Sequence, residues 1–148
     1  MPAYSFKERF IPMVLDESKD HTVRADRKGK SGHAAPGDTV YLYFGMRTKW
    51  CRKLGEAKCI RTVPITIFAD GRILLNGVWL SLKERDEFAW KDGFRPDGTT
   101  VADPGRAADF MMSFWRKTHD QFAFTGTVIY WSHFRPHTHT PTVQKINS

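Results

Sequence analysis

Cysteine is scarce in this chain: Cys51 and Cys59 are the only two in 148 residues. Their spacing fits neither a zinc knuckle nor a redox Cys-x-x-Cys, and so few thiols in a chain this size point to a reducing compartment. Long apolar runs are missing as well. Nothing approaches the roughly 20 apolar residues of a membrane-crossing helix, so no membrane partner is expected. The opening MPAYSFKERF lacks the apolar stretch of a signal peptide, which makes the cytoplasm the expected location. Acidic charge is short: 16 Asp and Glu stand against 23 Lys and Arg, a formal net charge of +7. That balance favours a polyanionic partner.

What is present supports one folded domain. The chain is 41% hydrophobic and 14% aromatic, enough to close a core without disulfides. Positive charge gathers early, at Arg24, Arg27, Lys28 and Lys30 and again from Arg47 to Arg61, whereas Glu84, Asp86, Glu87, Asp92, Asp97, Asp103 and Asp109 come later. A molecule with one basic end suits a groove for nucleic-acid phosphates.

Periodicity predicts a short helix over 6–16, with Ser5 as N-cap and Pro12 limiting its length. A brief strand at 22–25 and a basic loop at 26–35 follow. Residues 39–44 read as a strand, and the more apolar parity, Val40, Leu42 and Phe44, is expected to face inward. Residues 56–68 read as a long strand, with Pro64 marking a bulge or an edge. Asp70-Gly71 and Asn76-Gly77 are tight-turn pairs framing two more strands at 72–75 and 78–80. Ser81-x-x-Glu84 is a capping box that starts a helix running to Asp92, where Gly93 stops it. Asp103-Pro104 predicts a second helix start, and 122–131 a last strand. The remainder, rich in His, Thr and Pro, is expected to be a flexible tail over 133–148.

The candidate chemistry sits near the start. Lys19, Thr22 and Arg24 place a base candidate, a hydroxyl nucleophile and a phosphate or carboxylate clamp within six residues. A basic loop follows, and Pro36-Gly37-Asp38 turns the chain into the 39–44 strand. For nucleic acid, Tyr41, Tyr43, Trp50, Phe94 and Trp131 are stacking candidates. Arg27, Lys28, Lys30, Arg47, Lys49 and Lys53 can line phosphates. His133, His137 and His139 have neither Cys nor carboxylate beside them, so no metal and no cofactor are assigned.

The order helix, Lys19-x-x-Thr22-x-Arg24, basic loop, Pro36-Gly37-Asp38, apolar strand resembles the ASCH domain, a branch of the PUA-like superfamily. Asp92-Gly93-Phe94, Phe114 to His119, and Phe124-x-Gly126-x-Val128-Ile129-x-Trp131 follow in the family's order, so the resemblance covers residues 6–132. It implies an α+β fold: a small PUA-like β-barrel of about five to six mostly antiparallel strands flanked by about three short helices, one domain over 1–132. It implies RNA or a modified nucleoside or nucleotide as ligand. Some small ASCH proteins are amidohydrolases that deacetylate acetylcytidine, and others are linked to RNA cleavage. Carried over, the amidohydrolase set falls on Lys19 as base, Thr22 as nucleophile and Asp92 as proton donor, with Arg24 able to depress Lys19 or hold a phosphate. Asp92 is one methylene shorter than the family's Glu, and Asp16-Glu17-Ser18 stands where the family has Gly before its Lys motif. Binding is the expected function, amide hydrolysis or RNA cleavage the alternatives, and a basic interaction module without nucleic acid a third reading.

Overall fold

Alternating apolar residues and tight-turn pairs make strand the commonest regular element of this chain. The computed structural model describes residues 2–25, 33–118 and 123–137. Its elements are β1 (Ala3–Phe6), a 3-10 turn (Glu8–Phe10), α1 (Ile11–Leu15), β2 (His21–Ala25), β3 (Thr39–Phe44) and β4 (Arg52–Phe68). After them come β5 (Ile73–Leu75), β6 (Val78–Trp79), α2 (Leu82–Lys91), α3 (Ala107–Thr118) and β7 (Ala123–Pro136). The result is α+β, a mixed seven-stranded sheet with three short helices.

The 17-residue β4 is the spine. One edge pairs with β7 along most of its length; the other pairs with β3 near its start and β5 near its end. A strand this long must bend, and its ladder with β7 is irregular at Glu56/Lys58 and Cys59/Arg61. Pro64 lies just before β5 joins and causes neither irregularity. All ladders are antiparallel except β1 with β3.

Closure is where the expected barrel fails. β1 pairs only with β3 and β2 only with β7, so no ladder joins β1 to β2 among the described residues and the sheet stays open. A side chain spans the gap instead: Arg24 on β2 donates from Nη2 to the Ser5 carbonyl on β1 at 2.6 Å.

Most local signals hold. On β3, Val40 and Leu42 are fully buried while Tyr41 and Tyr43 face outward. Asn76 (φ 51°) and Gly77 (φ 80°) both take positive φ, as a primed two-residue hairpin requires. Ser81 and Glu84 form a reciprocal capping box on α2.

Three expectations are corrected. Ser5 is not an N-cap; it lies in β1, and its hydroxyl accepts from the Met46 amide at 3.1 Å. Asp103-Pro104 does not open α3, because Gly105 takes φ 65° and breaks the turn. The helix starts at Ala107, and Asp86 from α2 accepts from the Ala108 amide at 2.9 Å. The last strand runs on to Pro136, five residues past Trp131, with His133 at φ 56° in the irregular stretch. The rest of the expected tail, with His139, lies outside the described residues.

The core between sheet and helices is aromatic and aliphatic, centred on Tyr4, Val40, Leu42, Ile65, Phe94 and Ile129. Trp131, a stacking candidate by sequence, is buried in it edge-on to Phe6, with ring centroids 6.0 Å apart.

Candidate functional site

Four polar or charged residues are buried among the described residues, and they lie together: Lys19, His21, Thr22 and Asp92. Two local structures bring them there.

The first is the turn after α1. Glu17 takes φ 66°, supplying the left-handed residue that a glycine would otherwise provide. Asp16 accepts from both the amide and the hydroxyl of Ser18, and the Lys19 amide donates to the Met13 carbonyl at 3.0 Å. These bonds aim Lys19 inward before β2 begins.

The second is the end of α2. The Gly93 amide donates to Trp90 O and the Phe94 amide to Ala89 O, the paired bonds of a Schellman motif, with Gly93 at φ 107°. Asp92, at the C-cap, therefore presents its carbonyl and carboxylate together. Lys19 Nζ donates to both, at 2.6 Å to the carbonyl and 2.8 Å to Oδ1. A cation at a helix C-terminus also meets the negative end of the helix dipole. Arg95 locks the two structures together: it donates to Ser18 and to Trp90 O, with its guanidinium 3.8 Å from the Trp90 ring centroid. The shorter Asp side chain thus reaches Lys19.

Burial lowers the pKa of Lys19 from its ordinary value; the Asp92 carboxylate opposes that, and the nearby positive Arg24 adds to it. Lys19 Nζ also lies 5.2 Å from the Phe10 ring centroid and 5.8 Å from that of Phe6. On β2, Arg24 Nε donates to Thr22 Oγ1 at 3.1 Å. A hydroxyl that accepts in this way keeps its own hydrogen to donate elsewhere.

Lys19, Thr22, Arg24 and Asp92 all line one cavity of about 490 Å³, with Phe6, Phe10, Phe94, Phe114 and Trp115 as apolar walls. Lys7 and His33 line it too. His33 joins Tyr4 OH to the Ala25 carbonyl, at 3.1 and 2.7 Å, tying the chain after the basic loop to the end of β2. Aromatic walls with a few convergent polar groups are what a flat, polar, small-molecule ligand needs.

The remaining candidates lie elsewhere. Tyr41, Tyr43, Arg47, Lys49, Trp50 and Lys53 do not line this cavity. They belong to β3, the turn after it and the start of β4. Trp50 is 67% exposed, with Lys49 Nζ 4.8 Å from its ring centroid. Lys53 sits over Tyr41 and pairs with Glu56 at 2.6 Å. Arg27, Lys28 and Lys30 lie outside the described residues. Both cysteines are free thiols, Cys51 exposed and Cys59 buried. No group of three or more His, Cys, Asp or Glu able to hold a metal occurs among the described residues, and no helix there is long and apolar enough to cross a membrane.

Sequence reasoning missed His21. It is 2% exposed, between the rings of Phe88 and Tyr130 at 5.1 and 5.2 Å. Its Nδ1 is 3.2 Å from Asp20 Oδ1 and its Nε2 3.3 Å from Asp92 Oδ1. The available signal was its place in the strand that carries Thr22 and Arg24. A histidine one residue from a cavity-facing threonine points to the opposite face, where a buried polar group needs a partner. Of the aromatic walls only Phe94 was among the stacking candidates; Phe6, Phe10, Phe114 and Trp115 were missed because aromatics at helical spacing read as core.

No family model, no curated protein and no solved structure matches this chain.

Proposed function

We propose that this chain is an ASCH-like domain that binds an RNA base or a modified nucleoside in the cavity between β1 and β2. One observation carries the reading: Lys19, Thr22 and Arg24, chosen from the linear motif, and Asp92, carried over from the resemblance, line one cavity with five aromatic walls. A volume of about 490 Å³ is within the range of small-molecule sites. The aromatic rings supply stacking or edge contacts, and the polar floor supplies donors and acceptors for the edge of a base. Two free thiols fit a reducing, cytoplasmic setting. The PUA-like relationship belongs to the same proposal and rests on the order of motifs.

Amide hydrolysis of acetylcytidine is the second reading, favoured by the contact between Lys19 and Asp92. A Lys19 amine with an Asp92 carboxylic acid holds the same number of protons as the ion pair, and burial lowers the pKa of Lys19, toward the amine. In that form the Thr22 hydroxyl attacks the acetyl carbonyl and its proton passes to the Lys19 amine. The Asp92 carboxyl protonates the departing cytosine amine, and water then releases acetate from Thr22.

Titrating the protein with cytidine and with acetylcytidine under NMR observation tests both readings. Binding is expected to shift Thr22, Phe94 and Phe114, and Lys19→Ala to abolish it. Shifts confined to residues 46–53, or none, overturn the cavity reading. Release of cytidine that disappears in Thr22→Val supports hydrolysis. Binding without release leaves binding as the function, and cleavage of added RNA assigns the alternative chemistry.

A further inference from the structure

The residues that line the cavity are not balanced in charge. Three are cations, Lys7, Lys19 and Arg24, and one is a carboxylate, Asp92. That carboxylate is engaged, since its Oδ1 accepts from Lys19 Nζ at 2.8 Å. Among the lining residues, charge is therefore matched at the floor, where Lys19, Thr22 and Asp92 are buried. It is positive toward the mouth, where Arg24 is half-buried and Lys7 is exposed.

The two outer cations differ. Arg24 is held in place: Nε donates to Thr22 Oγ1 at 3.1 Å and Nη2 to the Ser5 carbonyl at 2.6 Å. Its guanidinium lies 5.4 and 5.2 Å from the Tyr4 and Phe6 ring centroids. Lys7 follows β1 directly, in extended conformation, and its Nζ stands 5.7 Å from the ring centroid of Phe114, a cavity wall. Among the described residues its ammonium makes no ion pair and no hydrogen bond, which leaves three N–H donors for a ligand. Glu8, next in the chain, does not line the cavity.

An ammonium beside the apolar wall of a cleft attracts anions strongly, because low-dielectric walls focus its field. Neither a base nor its ribose carries a negative group to meet it. A phosphate does, and lysine binds phosphate as a point charge that needs no fixed geometry. A cavity of about 490 Å³ leaves room beyond a single base. We propose that the ligand of this cavity is a nucleotide, with its base against the buried floor and its phosphate on Lys7 at the mouth. Lys7 is a specificity-determining residue that selects the phosphorylated ligand by charge, while the buried groups meet the base. The inference rests on the cavity reading and narrows its ligand class.

Calorimetric titration of acetylcytidine, its 5′-monophosphate and its 3′-monophosphate tests it. One monophosphate is expected to bind on the order of tenfold tighter than the nucleoside, and added salt to shrink that gain. Lys7→Met, which keeps an unbranched apolar stem beside Phe114, is expected to remove most of the gain. Lys83→Met, on α2 and outside the cavity lining, is expected to keep it. Equal affinity for nucleoside and both monophosphates in the wild type, or an undiminished gain in Lys7→Met, overturns the proposal. A trinucleotide with acetylcytidine at its centre separates the two sources of phosphate. Binding as tight as that of the monophosphate assigns the group to a strand and weaker binding to a free nucleotide, and Lys7→Met is expected to lower both.

Inorganic phosphate supplies an arm that needs no nucleoside. Under NMR observation it is expected to shift Lys7 and Phe114 in the wild type, and to leave Phe114 unshifted in Lys7→Met. Those shifts without acetylcytidine binding remove the nucleoside reading and keep Lys7 as an anion site. Acetylcytidine binding with no phosphate shift and no gain from phosphorylation removes this inference and keeps the cavity reading.

Discussion

At Lys19 two large effects oppose each other. Burial disfavours the ammonium, while the Asp92 carboxylate at 2.8 Å and its carbonyl at 2.6 Å favour it. Burial is the larger, so the folded protein binds this proton less tightly than the unfolded chain does. By linkage, stability from this group rises with pH, from the lowered folded value up to the ordinary 10.5. Urea unfolding across the alkaline range is expected to show that rise in the wild type and a flatter dependence in Lys19→Met; equal slopes count against it. Removing either side chain takes from the other, buried, group its opposite charge. Lys19→Ala and Asp92→Ala are each expected to cost about 3–5 kcal/mol. The double variant is expected to lose less than the sum, and strict additivity in the double-mutant cycle would show that the pair does not interact. That Lys19 was a site residue was legible from its spacing to Thr22 and Arg24. That it is paired was not, since Asp92 lies 73 residues away.

At the scale of the element, the end of α2 decides whether the site exists. Gly93 lies between Asp92 and Phe94 at φ 107°, and a Cβ there would stand 2.6 Å from the Phe10 ring, a cavity wall. Gly93→Ala combines a strained backbone with an overpacked contact, so a loss of about 1–3 kcal/mol is expected. Weaker acetylcytidine binding should accompany it. Ser81→Ala, at the other end of the same helix, removes the capping bond to the Glu84 amide and is expected to cost about 1 kcal/mol while leaving binding unchanged. Thermal unfolding and binding titrations on both variants separate the two; equal binding losses would mean that helix stability, not the turn, governs the site. Both ends of α2 were legible because a capping box and a helix-ending glycine act within a few residues of themselves. The start of α3 was not. Its local signal, Asp103-Pro104, loses to Gly105, and one first-turn amide, that of Ala108, is met by Asp86 from another helix.

At the scale of the whole molecule, the positive charge is divided: Lys7, Lys19 and Arg24 line the cavity, while Arg47, Lys49 and Lys53 do not. The basic, aromatic turn around Trp50 does not line the cavity, so two binding modes are distinguishable. RNA held by phosphates is expected to weaken with salt, the logarithm of affinity falling with a slope of about 0.7 per single-strand phosphate contact. Lys49→Glu is expected to reduce that slope and leave acetylcytidine binding intact. If Lys49→Glu weakens both equally, one continuous surface serves both ligands.

The sequence by itself determined what acts over short range: the parity of β3, the Asn76-Gly77 hairpin, the two ends of α2, and the motif that singled out Lys19, Thr22 and Arg24. Each follows from backbone sterics or from bonds between near neighbours. Only the tertiary structure decided that the sheet stays open, because whether β1 and β2 pair depends on where strands distant in the chain are placed. It alone brought Asp92 to Lys19 and enclosed His21 between Phe88 and Tyr130, by docking α2 and β7 around the start of β2. A buried charge or imidazole is explained by the groups around it, and those arrive from distant parts of the chain.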